Sequence, residues 1–296
     1  MTGFLKGVAT AMITPFDEKG INFNELEKII EYQIASGVDA IVVAGTTGEP
    51  ATMTEEEDGI LIDYTVKAVR GRIKVIAGAG SNCTRSAIDY SVRAEKLGAD
   101  GILAVTPYYN KCTQRGIYEY YKTICNAVKI PVICYNVPPR TGVNILPETM
   151  EKIAEIPNVA GIKEASGNMT QVLETARRIR GKCDLYSGED ALNLPILCAG
   201  GTAVISVVSN LAPQAVKELT LAIEKSDLKT ANELSDKLLP LIKACFVEVN
   251  PIPVKEGMNL LGFKAGAPRA PLTQLEDANR EVLIKAMKDF GLKVKA

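Results

Sequence analysis

Pro131-Val-Ile-Cys-Tyr-Asn-Val-Pro-Pro-Arg-Thr-Gly142 opens a stretch that closes with Val159-Ala-Gly-Ile-Lys-Glu-Ala-Ser-Gly167. Its outer segments, 131–136 and 159–163, are short apolar runs. Between them lie a proline- and glycine-rich loop and a helical pattern over 147–156. Strand, loop, helix and strand in that order form the unit that builds a parallel sheet. Both runs are apolar throughout rather than alternating, as expected of a parallel sheet buried on its two faces. Each also ends in a polar group, Tyr135 in the first and Lys163 in the second.

Outward from that unit the same alternation continues. Strands are expected at 7–13, 40–44, 74–77, 101–105, 131–136, 159–163, 184–187 and 203–208. Helical patterns fall between them. In 23–36 the apolar residues Leu26, Ile29, Ile30 and Ile34 keep the spacing of one helix face. Thr54-Glu-Glu-Glu57 reads as a capping box opening the next helix. Further patterns cover 84–97, 113–128, 147–156, 169–180, 191–199 and 213–224, with Gly37, Gly71, Gly98 and Gly181 placed as C-terminal caps. Eight strands alternating with eight helices predict an α/β fold, the (β/α)8 TIM barrel, over residues 1–225. A doubly wound open sheet is the rival, but it calls for a glycine-rich phosphate turn where Ile13-Thr-Pro-Phe16 stands. Residues 226–296 show only helical patterns, at 228–243, 253–261 and 273–290, and are expected to pack on the barrel as a C-terminal helical appendage. The connection Val249-Asn-Pro-Ile-Pro253 is expected to be extended, because a residue preceding proline avoids the α region.

Composition narrows the function. The chain has 296 residues, 47% of them hydrophobic, enough for a large core. A formal net charge of -1 lacks the basic excess of a nucleic-acid binder. No apolar run approaches the roughly 20 residues that cross a bilayer, and Met1-Thr-Gly-Phe-Leu-Lys-Gly7 has no signal-peptide pattern. Seven widely spaced cysteines without a Cys-x-x-Cys favour reduced thiols and a cytoplasmic location. The chain contains no histidine, which removes Ser-His-Asp chemistry and the common zinc sites; no metal and no cofactor is expected. Acid–base work falls to Tyr, Lys, Asp, Glu, Thr or water.

In a barrel of this kind the active site lies at the C-terminal ends of the strands. The unusual residues of this chain follow strands as that rule requires. Ala44-Gly-Thr-Thr-Gly-Glu49 follows the second, Thr106-Pro-Tyr-Tyr-Asn110 the fourth, the 135–142 loop the fifth, and Ser187-Gly-Glu189 the seventh. Two readings of Lys163 stand open. It either snorkels past the strand end into water, or stays buried, where lost hydration disfavours the charged amine. A neutral amine attacks carbonyl carbons, and the phenol of Tyr135 on the preceding strand is placed to move protons. Thr46 and Thr47 either bind a small carboxylate, with successive N–H groups as an anion nest, or make an ordinary turn. Arg140, stiffened by two prolines, matches a carboxylate in a two-point grip or is a solvated loop residue. Tyr108 and Tyr109 are adjacent, so that either one points inward and the other elsewhere, or the two form an ordinary aromatic core pair. Glu49 is read as a structural acceptor, and Gly188 as a place where backbone closely approaches a ligand.

Gly45-Thr-Thr-Gly-Glu49, Tyr135-Asn-Val-Pro-x-Arg-Thr-Gly142, Gly161-Ile-Lys-Glu164 and Asn250-Pro-Ile-Pro253 resemble the 4-hydroxy-tetrahydrodipicolinate synthases, also called dihydrodipicolinate synthases. The resemblance spans essentially the whole chain. It implies condensation of pyruvate with L-aspartate-4-semialdehyde, a lyase reaction of lysine and diaminopimelate biosynthesis. It further implies Lys163 as the Schiff-base lysine, with a covalent imine to pyruvate and no cofactor, and Tyr135 as proton donor and acceptor. Thr46 and Tyr109 complete the proton relay, the tyrosine reaching in from a neighbouring subunit. Thr47 holds the pyruvate carboxylate, Arg140 the semialdehyde carboxylate, and Ile205 lines the pyruvate site through its backbone. At least a homodimer, and a tetramer of two dimers, is expected. Related barrels, N-acetylneuraminate lyase and the 2-keto-3-deoxy-sugar-acid aldolases, share the lysine and tyrosine. They usually carry Ser-Thr where this chain has Thr46-Thr47 and lack the arginine at position 140. A keto-acid sensor without catalysis is the reading from another class. Synthases inhibited by lysine typically place histidines at Glu55 and Asp58 and a glutamate at Ser86, so no feedback inhibition by lysine is expected.

Overall fold

The computed structural model describes residues 2–295. Eight parallel strands close into a barrel in sequence order: β1 Gly7–Ala11, β2 Ala40–Val43, β3 Lys74–Gly78, β4 Gly101–Val105, β5 Val132–Asn136, β6 Val159–Glu164, β7 Asp184–Ser187 and β8 Ala203–Ser206. Closure is by β8 and β1, with Gly7 opposite Ala203 and Thr10 opposite Ser206. The (β/α)8 expectation holds. Every residue of β2, β5 and β6 is buried, as their unbroken apolar runs require.

The helices follow their local signals. Glu55–Val69 starts at the Thr54 capping box, with Glu57 N–H to Thr54 Oγ1 at 3.1 Å and Thr54 N–H to Glu57 Oε2 at 2.9 Å. Gly37, Gly71, Gly98 and Gly181 all take positive φ, the left-handed conformation that ends a helix without a Cβ penalty. Among the described residues no strand follows Ser206. Among the described residues no helix is long and apolar enough to cross a membrane.

Four local readings need correction. The segment 249–253 is not extended: Ile252 N–H closes a turn on the Val249 carbonyl at 3.0 Å. Ile252 and Pro253 begin the helix Ile252–Leu261, because a proline in the first turn lacks an N–H that the helix does not use there. The last helix starts at Asp277 rather than 273: Glu276 N–H donates to Glu248 Oε1 at 2.9 Å and holds the preceding residues off the helical path. The pattern over 191–199 divides into a 3-10 turn, Asp190–Leu192, and the helix Asn193–Cys198. A hairpin, Phe16–Asp17 with Gly20–Ile21, and a one-turn helix, Pro138–Thr141, are too short to leave a periodic pattern.

The C-terminal helices Leu228–Cys245, Ile252–Leu261 and Asp277–Phe290 share one apolar core with the barrel, through Leu238, Leu241, Val254, Met258 and Leu283. They also reach the strand-end face. Asn250 and Lys255 contact the β2 loop directly, so the region after residue 226 forms one wall of the site.

Candidate active site

Parallel pairing of β5 and β6 sets Tyr135 opposite Lys163. Paired residues on adjacent strands project to the same face, and here the Lys163 ammonium nitrogen lies 4.2 Å from the centre of the Tyr135 ring. Lys163 is 5% exposed, which rules out the snorkelling reading. One glycine makes room for it, and a second makes room for the neighbouring strand. A Cβ on Gly188 would meet Lys163 Cγ at 2.7 Å, so this glycine serves the lysine stem, where the sequence suggested close approach to a ligand. A Cβ on Gly161 would strike the Asp184 carbonyl and lie 2.7 Å from the Tyr186 ring. That buried tyrosine sits opposite Lys163 on β7.

A polar network behind the strands ties the Lys163 strand to the Arg140 loop. Glu164 is buried and accepts Asn136 Nδ2 at 3.1 Å and Ser166 N–H at 2.8 Å. Burial pushes its carboxyl up, while the bonds from Ser166 and Asn136 pull the other way. Asn136 also donates to Asn144 Oδ1 at 2.9 Å and accepts Ile145 N–H at 2.9 Å. The loop between β5 and the next helix is thereby pinned at both ends, and Arg140 stands on its one-turn helix.

After β2 the chain turns sharply. Ala44 and Glu49 both have positive φ, 53° and 61°, a strained region for residues with a Cβ. The Ala44 carbonyl consequently projects to where a Cβ on Gly78 would be, so β3 ends in a glycine. Between the two strained residues, Thr46–Gly48 forms a 3-10 turn. It uses the N–H groups of Gly48 and Glu49 internally, at 2.8 and 3.2 Å. Thr46 is exposed and Thr47 is buried. Thr47 Oγ1 accepts Asn250 Nδ2 at 3.0 Å, and the Asn250 carbonyl accepts Arg140 Nη2 at 3.2 Å. A single residue of the C-terminal region therefore joins the two groups expected to hold carboxylates. The motif Asn250-Pro-Ile-Pro253 marked this segment, but nothing in it told that the chain returns to the β2 loop.

A cavity of about 560 Å³ opens at this rim, with Thr46, Tyr108, Tyr135, Arg140 and Asn250 on its wall. Lys163, Thr47, Gly188 and Ile205 are not among its lining residues. Lys163 abuts the Tyr135 ring that is. Ile205, expected at the pyruvate site, is buried in β8 opposite Ala9. Of the adjacent tyrosines, Tyr108 lines the cavity and Tyr109 does not: it is 89% exposed, with φ of 70°. One chain alone does not bring Tyr109 to Tyr135. Glu49 is fully enclosed and accepts Lys255 Nζ at 2.6 Å and Arg269 N–H at 2.8 Å, the structural acceptor that the sequence suggested. Among the described residues no group of three or more His, Cys, Asp or Glu is placed to hold a metal ion.

A closed parallel barrel with one buried lysine against a tyrosine at its C-terminal rim defines a class of enzymes that work on carbonyl compounds. The chain matches the model of the dihydrodipicolinate synthetase family over residues 4–290 and belongs to that family. It is 51% identical to 4-hydroxy-tetrahydrodipicolinate synthase of Caldicellulosiruptor bescii, over 98% of each chain. Among solved structures, dihydrodipicolinate synthase from Aquifex aeolicus superposes with a TM-score of 0.96 at 43% identity, covering 99% of this chain and 100% of that one. The chloride-inhibited enzyme from Acinetobacter baumannii, complexed with pyruvate, superposes with a TM-score of 0.95 at 41% identity, covering 97% and 99%.

Proposed function

We propose that this protein condenses pyruvate with L-aspartate-4-semialdehyde through an imine on Lys163. The observation that carries this reading is the buried lysine against Tyr135, beside a cavity with a two-threonine turn on one wall and Arg140 on another. The amine attacks the keto carbon and water leaves, giving an iminium. This group is an electron sink, so loss of a methyl proton yields an enamine that adds to the aldehyde. Thr47 and its turn hold the keto-acid carboxylate, and Arg140 holds that of the aldehyde in a charge-assisted grip. Ile205 contributes through its backbone. Tyr135 passes protons along a hydrogen-bonded chain. Thr46 supplies one link. Membership of the family, with a pyruvate complex known for a close structural relative, favours this reading over the sugar-acid lyases. Its test is a coupled assay offering aspartate semialdehyde or N-acetylmannosamine as acceptor. Turnover with the semialdehyde alone is expected; preference for the sugar overturns the assignment.

The exposed Tyr109 completes the relay of a second copy. A ring left in water on a strained backbone gains its role when a partner's cavity receives it. The active species is therefore at least a dimer, and a tetramer of two such dimers is the proposed assembly. Sedimentation during turnover is expected to show no active monomer. A monomer with full activity contradicts the shared site.

The cavity continues past Glu55, Asp58, Tyr90 and Arg93. Arg93 Nη2 pairs with Asp58 at 2.9 Å, and Tyr90 Oη lies 3.4 Å from Glu55 Oε1. Two acidic residues repel an incoming carboxylate, and Ser86 offers an ammonium no charge. Lysine added at subsaturating pyruvate is expected to leave the rate unchanged and to give no heat of binding. Inhibition at sub-millimolar lysine shows that these substitutions do not close the pocket to it.

A further inference from the structure

The Glu49–Lys255 pair is the most deeply enclosed ion pair in the molecule, both side chains being 0% exposed. A buried pair of this kind gains little net stability, because desolvation offsets the attraction, and apolar residues of like volume do as well or better. Its place in the fold points to another role. Glu49 is the left-handed residue that closes the Thr46–Gly48 turn. Its two carboxylate oxygens are taken by Lys255 Nζ at 2.6 Å and Arg269 N–H at 2.8 Å, both from the C-terminal region. The Phe16 ring packs against both cations, its centre 4.2 Å from Lys255 Nζ and 4.0 Å from Arg269 Cζ. Arg269 continues to Glu57, the capping residue of the helix that follows, and holds that carboxyl down to about 2. Asn250, at the head of the Lys255 helix, donates to Thr47 Oγ1. On the barrel side, Thr14 Oγ1 donates to the Gly48 carbonyl at 2.7 Å. Every residue of the turn from Thr47 to Glu49 is thus gripped from outside it, and two of the four bonds come from 250–255.

We infer that Lys255, acting through Glu49, is a positioning residue for pyruvate: it fixes the Thr46–Thr47 turn in the geometry that receives the keto-acid carboxylate. Lys255 touches no substrate in this account. The inference rests on the proposed role of Thr47. Arg140 bonds to the Asn250 carbonyl and to neither member of the ion pair.

The experiment compares Lys255→Met, Glu49→Gln and the double variant Glu49→Gln/Lys255→Met. Lys255→Met leaves a carboxylate buried without its cation, and it is expected to fold poorly. The double variant removes both charges and is expected to recover most of the thermal stability. Its KM for pyruvate, and the pyruvate concentration giving half-maximal borohydride trapping, are expected to rise about tenfold, the signature of lost substrate binding. Its KM for the semialdehyde is expected to stay within about threefold. A double variant with unaltered pyruvate KM overturns the inference, as does an equal rise in both KM values, which marks general loosening. If the double variant does not fold, Glu49→Gln alone decides by the same criterion. The wild-type protein, trapped in parallel, separates this outcome from failure of the imine itself. A wild type that forms no pyruvate adduct removes the proposed function, whereas an adduct with normal half-saturation in the variants removes only the positioning role.

Discussion

Lys163→Arg is expected to fold and to lose activity by a factor on the order of 10⁴ or more, as loss of a covalent nucleophile does. Guanidinium is protonated at every working pH and presents no free pair to a carbonyl carbon. The substitution keeps a long nitrogen-bearing side chain against the Tyr135 ring, whose centre lies 4.2 Å from Lys163 Nζ in the native protein. The bulkier guanidinium must be accommodated in a site where the native side chain is already buried. A modest fall in Tm, of the size that overpacking of about 1–3 kcal/mol produces, is therefore expected beside the loss of turnover. Circular dichroism through the thermal transition checks the first, and the coupled assay the second. A folded Lys163→Arg protein retaining more than a few per cent of the wild-type rate removes the lysine from the mechanism.

Tyr135→Phe separates the proton carrier from the wall. The ring stays in place, covering the Lys163 amine and lining the cavity, while the Oη atom is lost. General acid–base catalysis by a positioned group contributes about 10²–10⁴-fold, so kcat is expected to fall by that factor with little change in the KM for pyruvate. Imine formation is expected to persist at a lower rate, measured as slower borohydride trapping. A fall of less than tenfold assigns the proton transfers to another group. Isolated phenols are common at barrel rims; the register that places Tyr135 opposite Lys163 makes this one specific.

The register of β5 and β6 is a finding of the structure, whereas the two strands were legible in the sequence as apolar runs closed by Tyr135 and Lys163. The barrel was legible for the same reason. Parallel strands buried on two faces leave unbroken apolar runs, and the glycines at 37, 71, 98 and 181 punctuate the helices between them. What escaped has physical causes. The Phe16–Asp17 and Gly20–Ile21 hairpin and the one-turn helix under Arg140 are shorter than any period that sequence can display. The proline rule misled at Ile252, because helix first turns tolerate what helix interiors do not. At the site, the lysine, the tyrosine, the threonine pair and the arginine were found as chemically unusual residues after strands. Gly188 was noticed for a different reason from the one the structure gives, since a side-chain stem on a neighbouring strand leaves no trace in its own segment. Asn250 and Lys255 act on the β2 loop across more than 200 residues of chain, at 203 and 206 positions' separation, and contacts of that range carry no local pattern. Tyr109 was assigned to the relay by resemblance, and its exposed ring in a single chain fits a role that only a second copy realises.

The most direct test of the account is to incubate the protein with pyruvate, reduce with borohydride, digest and sequence the modified peptide by mass spectrometry. The account predicts a single reduced pyruvate adduct, carried by Lys163 within Val159–Glu164 and absent when pyruvate or borohydride is omitted. An adduct on Lys111 or Lys255, or none at all in a protein that still turns over both substrates, contradicts it.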